Sequence, residues 1–319
     1  MRTDIKKKYV LQKINHHVFK DIDGLMNNIA YITEFLEDNN IETLRIIKTK
    51  DGKLYTEYDN EFYRVYDKER HALTYEKVDN LEMVYNLAKA FAMLHKNLSK
   101  FDASKLVEVI PNFHNTVVRY QNFLDAVNED KLGRKATCLE EIEAIKSFEK
   151  EYGKIVDGIK NNEINLSVTH NDPKINNVMF DKYTGEIRCV IDLDTIMPGS
   201  YLYDVGDALR SLFIGENEDN PDLSQIHIDK DIFKAYVSGY LSEMKKVLTK
   251  KEIELISFSS FLLTIECGMR FLEDYLRGDV YFQTTYPTHN LIRARTQIKQ
   301  ASMIYACLDD LNKIVKDLL

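Results

Sequence analysis

The stretch from Val168 to Asp194 constrains this chain more than any other. It begins Val168-Thr169-His170-Asn171-Asp172-Pro173-Lys174-Ile175-Asn176-Asn177 and continues Val178-Met179-Phe180-Asp181. The connector Lys182-Tyr183-Thr184-Gly185-Glu186 leads into Ile187-Arg188-Cys189-Val190-Ile191-Asp192-Leu193-Asp194. Two short apolar runs joined by a few residues that include a glycine predict an antiparallel hairpin. Such a hairpin sets the start of its first strand beside the end of its second. Asn177 and Asp192 therefore emerge at one end, which also receives the loop carrying Asp172. Two carboxylates and an amide oxygen are drawn to one point by strand pairing alone.

Oxygen donors of this kind suit a hard cation such as Mg²⁺. Phosphoryl transfer needs such a cation on the nucleotide phosphates, and a carboxylate to orient the attacking hydroxyl and take its proton. The spacing His-x-Asp, then Asn five residues on, then Asp on a second strand, is that of kinase catalytic loops. Here Asn177 follows Asp172 by five positions. Asp172 is the expected catalytic base, and Asn177 and Asp192 are the expected metal ligands. Asp194 is expected either as an outer-sphere metal group or as the cap of the following turn. Downstream, in Tyr203-Asp204-Val205-Gly206-Asp207, a buried Asp204 is expected to bond backbone N–H groups of the catalytic loop. Asp207 reads as a helix-start residue.

The 319 residues exceed what one small core needs, so two lobes are expected. At 44% hydrophobic and 29% charged, the composition is that of a soluble globular protein. A net charge of −8 repels nucleic acid and anionic membrane, so neither is an expected partner. Cys138, Cys189, Cys267 and Cys307 form no close pair, which argues for a reducing, cytoplasmic setting. The basic start, Met1 to Lys8, is not followed by an apolar segment, so no signal peptide is expected. Leu255 to Met269 is apolar but short and contains Glu266, which predicts a buried helix and no membrane span.

The chain changes character near residue 67. Before it, β-like runs cover 9–14, 44–47, 54–58 and 62–66, with Asp51-Gly52 as a hairpin signal between the second and third. A helix fits Ile22 to Leu36, with Leu25, Ile29, Ile32 and Leu36 on one face. After residue 78 the pattern is helical: a helix capped by Asp79 and carrying Leu81 to Leu94, another from Leu139 to Ile159, and others over 230–247, 251–277 and 290–316. The expectation is an α+β chain with a small β-rich nucleotide-binding lobe (1–67), a large helical catalytic lobe (68–319), and ligands in the cleft between them.

The segment His170–Asp192 together with Asp204 resembles the aminoglycoside phosphotransferase and choline kinase group of the protein-kinase-like fold. More of the chain is similar to one branch, the N-acetylhexosamine 1-kinases. The matching text includes Tyr9-Val10-Leu11-Gln12-Lys13-Ile14-Asn15-His16-His17-Val18-Phe19 and Ile110-Pro111-Asn112-Phe113-His114-Asn115-Thr116. Ile191-Asp192-Leu193-Asp194-Thr195-Ile196-Met197-Pro198-Gly199 and Arg270-Phe271-Leu272 also match, as do Gly278-Asp279-Val280-Tyr281-Phe282 and the run from His289 to Gln297. The resemblance implies ATP bound between the lobes with Mg²⁺, and a small sugar as acceptor. It places Lys13 on the nucleotide phosphates and Glu34, or alternatively Glu37, beside that lysine. The segment around Tyr66-Asp67-Lys68 becomes the hinge against the adenine. It further implies a sugar pocket of Asp172, Arg270 and Tyr281, with His17 reaching in from the small lobe, and His170 and Asp204 supporting the loop. His114 is expected to pack or cap, and Arg293 and Arg295 to make structural ion pairs.

One departure stands out. Kinase-like folds begin with two strands joined by a glycine-rich loop over the phosphates, and no glycine precedes Gly24 here. The expectation is that this loop is missing, by truncation or by loss, which removes its N–H groups from the phosphate site. Two other readings stay open. One is a kinase for another small alcohol, its pocket lined by the acidic run Glu216 to Asp222. The other is a pseudokinase that binds nucleotide or sugar without transfer.

Overall fold

The computed structural model describes residues 7–69 and 71–319. Met1 to Lys6, most of the basic start considered above, lies outside the described residues. The described chain opens with strand β1 (Tyr9–Ile14), helix α1 (Ile22–Asp38) and strands β2 (Thr56–Tyr58) and β3 (Glu61–Asp67). The three strands form an antiparallel sheet in the order β1-β3-β2. β3 alternates, burying Arg64 and Tyr66 while their neighbours stay partly exposed. Register pairs Gln12 with Arg64, so those two side chains share a face. Asp21 caps α1 by accepting from the Gly24 N–H at 2.8 Å, and Leu25, Ile29, Ile32 and Leu36 are buried along one side.

The run 44–47 does not pair with 54–58. Asp51-Gly52 does turn the chain, with the Gly52 N–H on the Thr49 carbonyl. Residues 45–47, however, lie against the far end of β3: the Ile47 N–H donates to the Val65 carbonyl at 2.8 Å. A turn signal fixes the bend, whereas the pairing partner is decided by the rest of the sheet.

A two-residue strand β4 (Ala72–Leu73) crosses to the helical part. There α2 (Leu81–Leu98) is capped by Asn80, whose side chain accepts from the Met83 N–H at 2.9 Å; Asp79 is not the cap. Next come α3 (Thr116–Glu129), α4 (Leu139–Ser147) and α5 (Lys154–Lys160). The central β segment follows as β5 (Ser167–Thr169), β6 (Val178–Asp181), β7 (Ile187–Val190) and β8 (Met197–Gly199). The remainder is helical: α6 (Tyr201–Ile214), α7 (Lys230–Met244), α8 (Lys250–Glu254), α9 (Ile256–Arg277), α10 (His289–Ala306) and α11 (Leu308–Asp317).

β6 and β7 form the expected hairpin, antiparallel with Val178 opposite Val190, and β4 adds to its edge. β5 pairs separately with β8. Two apolar cores flank this centre. One gathers α1, part of α2 and the central strands. The other is built around α9, which is buried along most of its length. Phe91 on α2 is fully buried in the first core, worth about 3 kcal/mol of burial, and its ring meets His170 edge-on at 5.2 Å. The first core is therefore continuous with the loop that carries His170 and Asp172. Two helix crossings depend on glycine: a Cβ at Gly206 of α6 would collide with the Ser259 carbonyl of α9, and one at Gly239 of α7 with the Tyr85 carbonyl of α2.

Candidate active site

The loop between β5 and β6 is held by α6. Asp204, in the first turn of that helix and 1% exposed, accepts from the His170 N–H (2.8 Å) and the Asn171 N–H (2.6 Å). Its Oδ2 also meets His95 Nε2 at 2.7 Å, and His95 Nδ1 meets the Tyr240 hydroxyl at 2.8 Å. Burial alone would raise this carboxyl, but His95 and the amides hold it below the usual carboxylate range. His170 links the loop to β7: its Nδ1 lies 3.3 Å from the Asp172 N–H and its Nε2 2.8 Å from the Ile191 carbonyl. A carbonyl only accepts, so the proton sits on Nε2 and Nδ1 is the acceptor. Thr195 donates to the His170 carbonyl at 2.6 Å, and Asn171 donates to the Thr195 carbonyl at 2.8 Å. Asn171 and Asp192 both have left-handed backbone, at φ +64° and +59°, conformations that Asn and Asp tolerate better than most residues.

The hairpin brings Asp172 and Asn177 into contact. The Asn177 amide donates to the Asp172 carbonyl (2.9 Å) and to Asp172 Oδ2 (3.1 Å), and the Ile191 N–H donates to the Asn177 carbonyl (2.8 Å). With its NH₂ group occupied, Asn177 keeps its side-chain oxygen for another partner. Asn177 and Asp192 line one cleft of about 450 Å³, between the first sheet and the hairpin. Among the described residues the Asp192 carboxylate has neither a hydrogen-bond nor an ion-pair partner. Two free oxygen donors facing one cleft fit a hard cation. Lys174 Nζ stands 2.6 Å from Asp172 Oδ1.

Val10, Gln12, Arg64, Tyr66 and Lys68 also line this cleft. Arg64, its side chain 3% exposed, donates from Nε to Gln12 Oε1 (3.1 Å), and its Nη2 is 2.5 Å from Asp194 Oδ1. Asp194 therefore pairs with Arg64 and does not cap the following turn. Lys13 is not brought to the cleft. Val10 and Gln12 face it, and strand alternation turns Lys13 to the opposite side, 55% exposed and 2.7 Å from Glu61. Glu34 and Glu37 sit on the outer face of α1, paired with Lys48 (3.6 Å) and Arg45 (3.2 Å). In the hinge segment the N–H groups of Asp67 and Lys68 already donate to the Arg45 and Lys8 carbonyls, each at 3.0 Å.

On its other side Asp172 lines a second cavity of about 400 Å³, with Arg270, Asp207, Arg210, Glu218 and Glu266. Asp207 lies in the second turn of α6, not at its start, and is bonded to Arg210 Nε at 2.7 Å. Glu218 lies 3.5 Å from Arg210 and 3.9 Å from Arg293. Glu266 is held by His114 (2.7 Å) and Thr116 (2.5 Å). The Arg270 guanidinium stacks at 5.0 Å over Phe113 and 5.7 Å over Tyr281, and among the described residues it has no hydrogen-bond or ion-pair partner. Tyr281 is 58% exposed and flanks Arg270 in a neighbouring groove. His17 is exposed, its ring tilted against that of His16 with centroids 4.1 Å apart, and lines neither cavity. Arg295 makes an ion pair with Glu141 at 2.6 Å.

With this geometry in view, comparison with known proteins is decisive at the level of family. The sequence profile of the phosphotransferase enzyme family, APH, matches residues 3–240. The chain belongs to that family. Solved structures with the same kinase-like fold include an aminoglycoside phosphotransferase from Alicyclobacillus acidocaldarius, with 13% identity, 98% of this chain and 88% of that one covered, and a TM-score of 0.60. An ethanolamine kinase from Plasmodium vivax shares 14% identity over 91% of this chain and 75% of its own, with a TM-score of 0.53. The amicoumacin kinase hAmiN, solved in complex with AMP-PNP, Ca²⁺ and Ami, shares 15% over 94% and 84%, with a TM-score of 0.55. This phosphotransferase thus has the α+β, two-lobed architecture expected of it.

Sequence reasoning missed four residues that shape the site of this phosphotransferase. Arg64 was detectable, since it alternates with Phe62 and Tyr66 on a strand already recognised. Lys174 lay inside the quoted loop, two residues after Asp172. Thr195 was quoted only as matching text. His95 gave no local signal, because its partner Asp204 is 109 positions away.

Proposed function

We propose that this chain is an ATP- and Mg²⁺-dependent sugar 1-kinase acting on the anomeric hydroxyl of an N-acetylhexosamine in the cytoplasm. One observation carries the choice of a neutral acceptor: each carboxylate lining the second cavity has a basic partner, while Arg270 has none. A cationic amino alcohol or aminoglycoside would meet the Arg270 guanidinium and no carboxylate without a basic partner. An acetamide or hydroxyl oxygen would accept from Arg270. The acidic run Glu216 to Asp222 does not alter this, since Glu218 is paired and Asp222 caps the turn at Ser224 (3.0 Å).

In this reading Asp172 orients the anomeric hydroxyl and receives its proton. The anomeric oxygen bonds to the γ-phosphorus as the bond to the β,γ-bridging oxygen breaks, leaving sugar 1-phosphate and ADP. Asn177 and Asp192 hold Mg²⁺, which when bound neutralises the nucleotide phosphates. Arg64 takes the phosphate-binding role first assigned to Lys13, with Asp194 and Gln12 fixing its fork in place of Glu34. Tyr66 and Lys68 border the base. Lys174 pairs with Asp172 between turnovers. Arg270 and Tyr281 contact the sugar, and His17 joins them by movement of the small lobe. Residues 1–67 serve as the nucleotide-binding lobe and 68–319 as the catalytic lobe.

The test is ADP release with Mg²⁺-ATP across N-acetylhexosamines, hexoses, ethanolamine and aminoglycosides, with the product identified by ³¹P NMR. Transfer to the anomeric oxygen of an N-acetylhexosamine supports the reading. Preference for an amine refutes the acceptor assignment. Nucleotide binding without single-turnover transfer to any acceptor refutes catalysis.

A further inference from the structure

The groove beside the second cavity carries more positive charge than its own acids answer. It has a volume of about 240 Å³, and Arg119, Arg270 and Arg277 all line it. Arg277 is fully engaged: its Nε is 3.0 Å from Glu273, and its terminal nitrogens reach Glu129 at 3.3 Å and the Asn122 carbonyl at 3.0 Å. Asp274, the other carboxylate in the wall, has both oxygens filled by the N–H groups of Val280, Tyr281 and Phe282 and by the Asn290 amide. Arg119 on α3 and Arg270 on α9 are half-buried, and among the described residues neither has an ion-pair partner. Both guanidiniums lie against the Phe113 ring, at 5.9 and 5.0 Å from its centroid. Arg119 is also oriented, because its Nε donates to the Phe113 carbonyl at 3.0 Å. Its two terminal NH₂ groups then form a fork with no hydrogen-bond partner among the described residues. Burial and the charge of Arg270 hold Arg119 below its ordinary guanidinium value, against the opposing pull of Glu266 and Glu273. Two like charges held together and partly out of water destabilise the fold unless an anion joins them.

We propose that this groove is an anion site in which Arg119 and Arg270 together hold a phosphate group, free or carried on a small molecule. A planar fork matches phosphate oxygens two at a time, and two guanidiniums match a dianion better than a single carboxylate. The site is distinct from the cleft that Arg64 lines, since Arg119 lines neither that cleft nor the cavity of Asp172. Arg270 lines both the groove and the cavity of Asp172. An anion in the groove therefore draws on donors that the acceptor also uses, and opposes acceptor binding. That consequence rests on the second cavity being the acceptor site, whereas the anion site itself does not.

The experiment titrates inorganic phosphate into the full chain by calorimetry, at constant ionic strength and with saturating Mg²⁺-AMP-PNP to fill the nucleotide cleft. Acetate and chloride are titrated in the same way, and thermal melts check each variant. The wild-type chain should bind phosphate saturably and more tightly than acetate. Arg119→Gln should weaken that binding by roughly tenfold or more, the loss expected when hydrogen bonds to a charged group are removed. Arg119→Lys, which keeps the charge without the fork, should recover only part of it. If Arg119→Gln does not fold, Arg270→Gln makes the same test of binding. No saturable binding, a preference for acetate, or affinity unchanged in a folded variant overturns the proposal. In the kinase assay, phosphate should raise the acceptor KM of the wild-type chain and leave its nucleotide KM alone, and Arg119→Gln should abolish that rise without changing the basal rate. Phosphate bound through Arg119 with the acceptor KM unmoved would support the anion site and count against the acceptor-site reading of the second cavity.

Discussion

At the scale of single residues, the proposed chemistry is concentrated in Asp172 and its contacts. Asp172→Asn should reduce kcat by roughly 10²–10⁴-fold, the usual worth of a positioned base, with nucleotide affinity retained; steady-state rates and calorimetry with Mg²⁺-ATP measure both. Arg64 and Lys13 make a matched pair of tests. Arg64→Lys keeps the charge and loses the fork that reaches Gln12 and Asp194, so the nucleotide KM should rise about tenfold. Lys13→Ala should stay within about twofold, as expected for an exposed ion pair. The error that placed Lys13 in the cleft was one of parity. A strand's sequence shows that its side chains alternate, but which set faces inward depends on what packs against it. Asp172, Asn177 and Asp192 were readable because a hairpin fixes their mutual position locally. Arg64 opposite Gln12 required knowing that β1 pairs with β3.

At the scale of elements, helix α6 does two jobs, and Gly206 makes them compatible. Its first turn holds the catalytic loop through Asp204, and the next lies directly on the Ser259 backbone of α9. Gly206→Ala should force the helices apart at roughly 1–3 kcal/mol. It should lower Tm by several degrees and also reduce kcat, because Asp204 moves with the helix. A fall in Tm with kcat intact would show the two roles to be separable. Elements were legible where periodicity ran long: α1 and α2 stand close to where their apolar spacing put them. The expected helices over 139–159, 251–277 and 290–316 are each divided, at 148–153, at Leu255 and at Cys307. Those breaks carry no proline to announce them. The strand expected at 44–47 is reduced to a single bridge between Ile46 and Tyr66.

At the scale of the whole molecule, several buried carboxylates tie the fold to pH. Burial would raise Asp204, Asp207 and Glu266, but their partners hold all three below their ordinary values of 3.8, 3.8 and 4.5. A carboxyl that binds its proton less readily when folded stabilises the fold fully above its unfolded value, and that contribution disappears as pH falls through the lower folded value. Tm should therefore hold steady above about pH 5 and drop steeply below pH 4. Asp204→Asn should be less stable at neutral pH and show a shallower acid slope. The α+β, two-lobed architecture followed from the change from β-like to helical runs along the chain. The continuity of the first core with the catalytic loop did not, since Phe91 against His170 joins distant segments.

That continuity narrows to a single amide at the centre of the molecule. Asn177 lines the first cleft, yet its NH₂ group grips Asp172, which lines the other cavity. Whatever draws on the oxygen of Asn177 polarises the donor that holds Asp172. The two cavities are then expected to behave as one thermodynamic system. Nucleotide and acceptor should each change the other's affinity, and by the same factor, because the coupling free energy has a single value whichever ligand arrives first.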